Sequence, residues 1–149
     1  KGWIYAAEGV SFMVGALFIK KISDKLSSYS ILFSSSILVG LSQLLLYFAD
    51  VTVITIAAFL VFGFSVGCFY PTAATIFQTK VPKDFHGRFF SFRNMLDRIG
   101  FQIVLLLTGF FLDFIGLQLM CVLYGGLTIL ITILFYFKNK QIHTVQQEN

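Results

Sequence analysis

Thr52–Phe77, TVITIAAFLVFGFSVGCFYPTAATIF, runs without a single charged side chain. At a rise of about 1.5 Å per residue, a helix of about 20 residues crosses the ~30 Å hydrocarbon core of a bilayer, and this stretch is longer than that. Working outward from it, comparable apolar runs lie at 2–19, 30–49, 94–112 and 117–137, so five transmembrane spans are predicted. The whole chain agrees: 57% of its residues are hydrophobic and only 12% are charged. Its mean hydropathy is +0.84, outside the range of a domain solvated by water. Backbone amides in lipid must be satisfied within their own segment, so the runs are expected to be helices. A barrel would show shorter segments with strict in-out alternation, and none is present. The fold class that follows is an all-α, polytopic membrane helix bundle.

Charge orients the bundle. Lys20, Lys21 and Lys25 follow the first span; Lys80, Lys83, Arg88 and Arg93 lie between the third and fourth; Lys138 and Lys140 open a tail at 138–149. The positive-inside rule places these three segments in the cytoplasm. The opposite bends, around Ala49–Thr52 and Asp113–Gly116, carry only acids. The expected arrangement is a multi-pass protein of the cell membrane with its C-terminus cytoplasmic. Topology therefore accounts for the net charge of +4, which gives no support for nucleic-acid binding. An odd number of spans starting outside, with no initiator Met and no preceding loop, leads us to expect a fragment that lacks upstream sequence. Residues 2–19 do not read as a signal peptide, because Glu8 interrupts the run and neither a basic leader nor a small-residue cleavage site is present. Cys68 and Cys121 lie within spans as small packing residues, with no disulfide framework, no metal spacing and no cofactor implied.

Helices in lipid associate by close packing at small residues. Ser36 and Gly40, Gly63 and Gly67, and Gly125 and Gly126 are candidates for such contacts. The third span adds Pro71, whose ring displaces the carbonyl of Gly67, so Gly63, Gly67 and Pro71 are hinge candidates. A hinge there suits a transporter gate, although static bundles contain such kinks too. Residues 78–93 form the longest polar connection and contain Phe85, Phe89, Phe90 and Phe92. Pro82 should end the preceding helix and Gly87 should permit a sharp turn. Arg88 and Arg93 should meet anionic lipid heads while the rings dip below them, making this an interfacial loop.

Charges inside spans need a partner or a purpose. Glu8, about two turns into the first span, either pairs with a cation, faces a water cavity, carries a proton or snorkels to the outer interface; it is the candidate proton-coupling acid. Asp97 and Arg98 enter the membrane just past Arg93, and the spacings Arg93–Asp97 and Asn94–Arg98 put each couple on one helical face. An intrahelical ion pair is one reading and a cytoplasmic gate the other. Gln102 continues the polar stripe toward the midplane.

Two stretches then carry a resemblance. Gly15-Ala-Leu-Phe-Ile-Lys-Lys-Ile-Ser-Asp24-Lys25 is similar to the degenerate C-half copy of the Gly…Asp-Arg/Lys loop motif of the major facilitator superfamily, with Ser27-Ser28-Tyr29 in place of its usual basic ending. Val81-Pro82-Lys-Asp84-Phe-His-Gly87-Arg88-Phe-Phe-Ser91, followed by Gly109-Phe-Phe-Leu-Asp113, resembles the pattern of the macrolide-efflux and siderophore-exporter branch of its drug antiporters. The chain as a whole looks like spans eight to twelve of such a twelve-helix transporter, that is, a partial C-terminal half. The resemblance implies two six-helix halves built from inverted repeats, substrate bound between them at mid-membrane, and alternating access by rocking. It also implies that Asp24 caps a helix of the N-terminal half on the cytoplasmic side.

The reading that follows is part of a secondary active transporter, exporting an amphipathic or drug-like small molecule against inward proton flow. Its partners would be the lipid bilayer, the small-molecule substrate, protons and the N-terminal half. Glu8, Ser11, Ser65, Tyr70, Arg98 and Gln102 are the candidate cavity lining, with Asp24 and Asp97 joining Arg98 and Gln102 as gate candidates. The alternative is a non-transporting membrane module that anchors or regulates a partner through its small-residue faces. An enzyme is the weakest option, since the spans hold no His, no carboxylates at catalytic spacing and no metal cluster.

Overall fold

The computed structural model describes residues 2–23 and 25–147, with side chains as far as Asn139. Lys1, Asp24 and the side chains of Lys140 and His143 lie outside the described residues. Four helices follow one another: α1 (Gly2–Ile22), α2 (Ser28–Leu45, prolonged by a 3-10 turn at Leu46–Phe48), α3 (Thr52–Lys80) and α4 (His86–Gln147). The described chain is helical with no strand, a membrane bundle as its composition requires.

Local chemistry sets the boundaries. Ser27 is extended at the start of α2, and its hydroxyl oxygen accepts the backbone N–H of Ser30 at 3.2 Å, satisfying one of the donors orphaned at a helix start. α3 ends where Val81 turns extended (φ −95°, ψ 129°), the conformation that a following proline favours. A 3-10 turn at Lys83–Phe85 then leads directly into α4.

Taken as one rod, the 62 residues of α4 would reach about 93 Å, roughly three times the hydrocarbon thickness. Gly116 prevents this. Its φ of 75° and ψ of 164° make it the one positive-φ residue among those described, a conformation that is cheap only for glycine. Thr108 and Tyr124, on opposite sides of it, meet hydroxyl to hydroxyl at 2.7 Å. α4 is thus a hairpin of two antiparallel arms, 86–115 and 117–147, and the bend predicted around Asp113–Gly116 is concentrated in one residue.

The packing order follows from which residues touch. Tyr5 meets Phe59 edge-on, Gly63 lies against Glu8 and Ser11, and the Cys68 thiol approaches the Gly15 carbonyl at 3.5 Å, so α1 and α3 run parallel. Phe33 meets Tyr136, and Gly40 lies against Gly125 and Ile129, so α2 and the arm 117–147 run antiparallel. At one end of the bundle the Gln118 amide donates to Asp50 at 3.0 Å. The bends bearing acids share that end, and Lys20, Lys21, Lys80, Lys83, Arg88 and Lys138 gather toward the other. The chain therefore weaves back and forth with its cations sorted to one side.

Its interior inverts that of a soluble protein. The buried positions are mostly small, including Ser11, Ser35, Gly40, Ala58, Gly63, Gly67, Cys68 and Ala73, and the largest completely buried side chains are Ser42 and Ser65. Bulky side chains point outward, with Trp3 86% and Val53 75% exposed. In lipid nothing drives large apolar groups inward, and backbones gain dispersion by approaching at small residues. The buried hydroxyls leave no donor unmet, because Ser65 donates to the Val61 carbonyl at 2.6 Å and Thr72 to that of Cys68 at 2.7 Å.

Two details differ from the sequence expectation. Helices overrun the apolar runs at the basic end, so only Val81–Phe85 separates α3 from α4 rather than a connection spanning 78–93. Gly87 belongs to the first turn of α4 and makes no sharp turn of its own.

Candidate functional site

The sequence candidates fall into three places. The first is the seam between α1 and α3. Ser11, Gly15 and Ile19 recur every four residues along α1 and form its buried stripe. Opposite them, α3 presents Gly63 and Gly67. A Cβ placed on Gly63 would overlap the Glu8 carbonyl and the Ser11 hydroxyl, one on Gly67 would overlap the Phe12 carbonyl, and one on Gly15 would overlap that of Phe64. The two backbones are therefore in direct contact, the arrangement that glycines four apart allow.

Glu8 is placed by that seam. Its carbonyl takes the Ser11 hydroxyl at 2.8 Å and backs onto Gly63. Its side chain is half-buried, and no ion pair or hydrogen bond engages the carboxylate among the described residues. The carboxyl thus lies inside the span, three residues from the buried Ser11, on a residue whose backbone is part of the α1–α3 contact.

The second place is the basic end. Arg93 stacks on Phe77, its guanidinium carbon 4.4 Å from the ring centroid, and pairs with Asp97 at 3.5 Å. Phe77 also packs on Phe89. His86 Nε2 lies 2.7 Å from the Val81 carbonyl, closing the short turn between the helices. Arg93 is thus committed to α3 and to its own helix, whereas Arg88 remains exposed. The spacing of Arg93 and Asp97 announced their pair; Phe77, one helix away in sequence, gave no signal of its role.

The third place is the arm 86–115. Asp97, Arg98 and Gln102 are exposed on it, as are most of its neighbours, Phe101 at 68% and Leu106 at 66% among them. No hydrogen bond or ion pair links this stripe to Glu8 among the described residues. Ser65 and Tyr70, grouped with Glu8 by sequence reasoning, line different hollows: Ser65 one of about 320 Å³ between α1, α2 and α3, Tyr70 another beside the arm 117–147. Asp24 lies outside the described residues. Gln43, the one amide in the second span, escaped attention, although an amide in an otherwise apolar run is itself a signal. Among the described residues no cluster of His, Cys, Asp or Glu could hold a metal ion.

A family model described as Major Facilitator Superfamily matches residues 1–148. No curated protein and no solved structure matches the chain.

Proposed function

Because the chain belongs to the major facilitator superfamily, a family of multi-pass membrane transporters, we propose that it serves proton-coupled efflux of an amphipathic or drug-like small molecule by alternating access. In this reading it belongs to the drug-antiporter branch and sits in the cell membrane with its basic end and C-terminus inside. The substrate path runs between this bundle and an N-terminal half. Glu8 is the coupling carboxyl, and the observation that carries this is its position: half-buried in α1, unpaired, with its own carbonyl against Gly63. Loss of its charge on protonation changes what the seam must solvate. Gly63, Gly67 and Pro71 then form the element of α3 that yields, and Asp97, Arg98 and Gln102 on the exposed arm act as gate residues with Asp24.

The test uses everted membrane vesicles from cells expressing the protein, with ethidium as the transported probe and a pH-sensitive dye reporting protons. Glu8→Gln should leave the membrane level of the protein unchanged and abolish ethidium-linked proton movement. An unaltered rate in that variant would remove Glu8 from the mechanism. Movement of ethidium that persists with the proton gradient collapsed would remove proton coupling.

A further inference from the structure

The hollow of about 320 Å³ between α1, α2 and α3 has a buried floor, with Ile19, Ile31, Ser35, Ser65 and Cys68, and an exposed rim, with Phe18, Leu26, Ser30 and Ser34. It is therefore a cleft that opens to the surroundings of the bundle. The polar hydrogens on its floor are already used. The Ser35 hydroxyl donates to the Ile31 carbonyl at 2.8 Å, that of Ser65 to Val61 at 2.6 Å, and the Cys68 thiol to Gly15 at 3.5 Å. Two lining side chains keep a hydrogen that meets no acceptor among the described residues: Ser34, and Ser30, whose hydroxyl only accepts from Ser27 at 2.9 Å. Both stand on the rim, on the crest of α2 that separates this cleft from a second one beside the arm 117–147. A hydrocarbon chain laid in the cleft thus strands no donor on its floor, and it restores the dispersion that an empty cleft forfeits.

The mouth has the opposite character. Ile22 and Leu26 on the wall bracket Lys25, and Lys21 adjoins Ile22. The chain turns tightly here, because the backbone N–H groups of Lys25 and Leu26 both donate to the Ile22 carbonyl, at 2.8 and 3.1 Å. Lys21 and Lys25 are exposed, and no ion pair engages either among the described residues. Over 20–26 the sequence sets Lys20, Lys21 and Lys25 against one acid, Asp24. Sorting of cations to one side of the membrane accounts for lysines at this end of the bundle, but not for an apolar cleft directly beneath them. From the mouth inward the order is cations, then free hydroxyl donors, then apolar wall, which complements the phosphate, ester carbonyls and acyl chain of an anionic phospholipid.

We propose that this cleft is a binding site for an anionic phospholipid of the leaflet at the basic end. One acyl chain lies against Leu38 and Phe64, the ester carbonyls accept from Ser30 and Ser34, and Lys21 and Lys25 hold the phosphate. Each lysine near a negatively charged headgroup adds to the attraction. The site uses none of the residues assigned to transport above and requires only that the chain is embedded in a bilayer.

The test is native mass spectrometry of the full chain released from detergent, titrated with dioleoyl phosphatidylglycerol or with dioleoyl phosphatidylcholine, which has the same acyl chains and no net charge. The first phosphatidylglycerol bound should be held at least about ten-fold more tightly than the first phosphatidylcholine. Lys21→Gln with Lys25→Gln should lower phosphatidylglycerol affinity by about ten-fold and leave phosphatidylcholine unaffected. Lys80→Gln with Lys83→Gln removes the same charge from the other bend at this end and should change neither. Ser34→Phe fills the cleft from its rim and should weaken both lipids by about ten-fold. If that variant fails to fold, Ser34→Leu is read in its place, with the same expectation. Equal affinity for the two lipids, an equal loss in the two lysine pairs, unchanged binding with the cleft filled, or no lipid retained by the unaltered chain overturns the proposal; the first three would show an unselective lipid annulus only.

Discussion

Thr108 and Tyr124 hold each other by a 2.7 Å hydrogen bond although sixteen residues separate them. On a continuous helix that separation is about 24 Å. The bond is possible because Gly116, midway between them, reverses the chain. Thr108→Cys and Tyr124→Cys, with Cys68 and Cys121 replaced by alanine, should therefore be joined by a short bifunctional thiol reagent, which spans the gap left by the tyrosine ring that a direct disulfide does not bridge. Failure to cross-link, with both thiols shown to be reactive, would mean that the two arms do not lie side by side.

The reversal depends on a backbone conformation that side chains resist. Gly116→Ala introduces a Cβ at φ 75° and ψ 164°, a region almost confined to glycine, at a cost of about 1–3 kcal/mol, even though open space surrounds the position. Gly109→Ala, also in open space but within the helical arm, should be neutral or mildly stabilising. Thermal midpoints of the purified variants should separate the two.

At the α1–α3 seam the limit is space, because the neighbour of each glycine is backbone that cannot rotate aside. Gly67→Ala should destabilise the bundle by about 1–3 kcal/mol, the usual range for overpacking. Gly126→Ala has nothing within 4 Å and should have little effect. Thermal aggregation in mild detergent would rank them, and equal stability of the two variants would contradict the direct contact described here.

Arg93 has two partners of unequal worth. Asp97 is 63% exposed, and its pairing should contribute no more than about 0.5 kcal/mol and fade with salt. The stacking on Phe77 joins two helices and should show a coupling of about 0.5–1 kcal/mol that salt barely alters. Double-mutant cycles with Arg93→Ala, Phe77→Leu and Asp97→Ala, run at low and high salt, test both values.

Gln118 and Asp50 meet at one end of the bundle while Lys83 lies toward the other. With the basic end inside, a membrane-impermeant thiol reagent applied to whole cells should modify Gln118→Cys and spare Lys83→Cys. The opposite pattern would invert the proposed orientation.

The elements most legible in the sequence were those fixed by composition along one helix. Thr52–Phe77 announces a span by its lack of charge, and the glycines at 63 and 67 announce a close contact by their spacing. The partner of that contact was not legible, because Glu8, Ser11 and Phe12 meet α3 only through the tertiary arrangement. Pro82 marked the end of α3, but the polar run 78–93 read as a long connection, whereas the next helix begins at His86: the Phe77–Phe89 and Phe77–Arg93 contacts fold that segment back onto α3. Asp97, Arg98 and Gln102 follow one another along the arm 86–115, and spacing within a helix says nothing of which way the helix faces.

Where Gly63 and Gly67 lie against α1, the notches they leave receive the Ser11 side chain and the backbone carbonyls of Glu8 and Phe12. Lengthwise slippage of one rod past the other would lift those groups out of the notches and press them against the side chains that flank each glycine. Separation of the rods forfeits the whole run of backbone contact. The joint thus resists gliding as well as prying, each glycine acting as a socket that keys the register of the two helices.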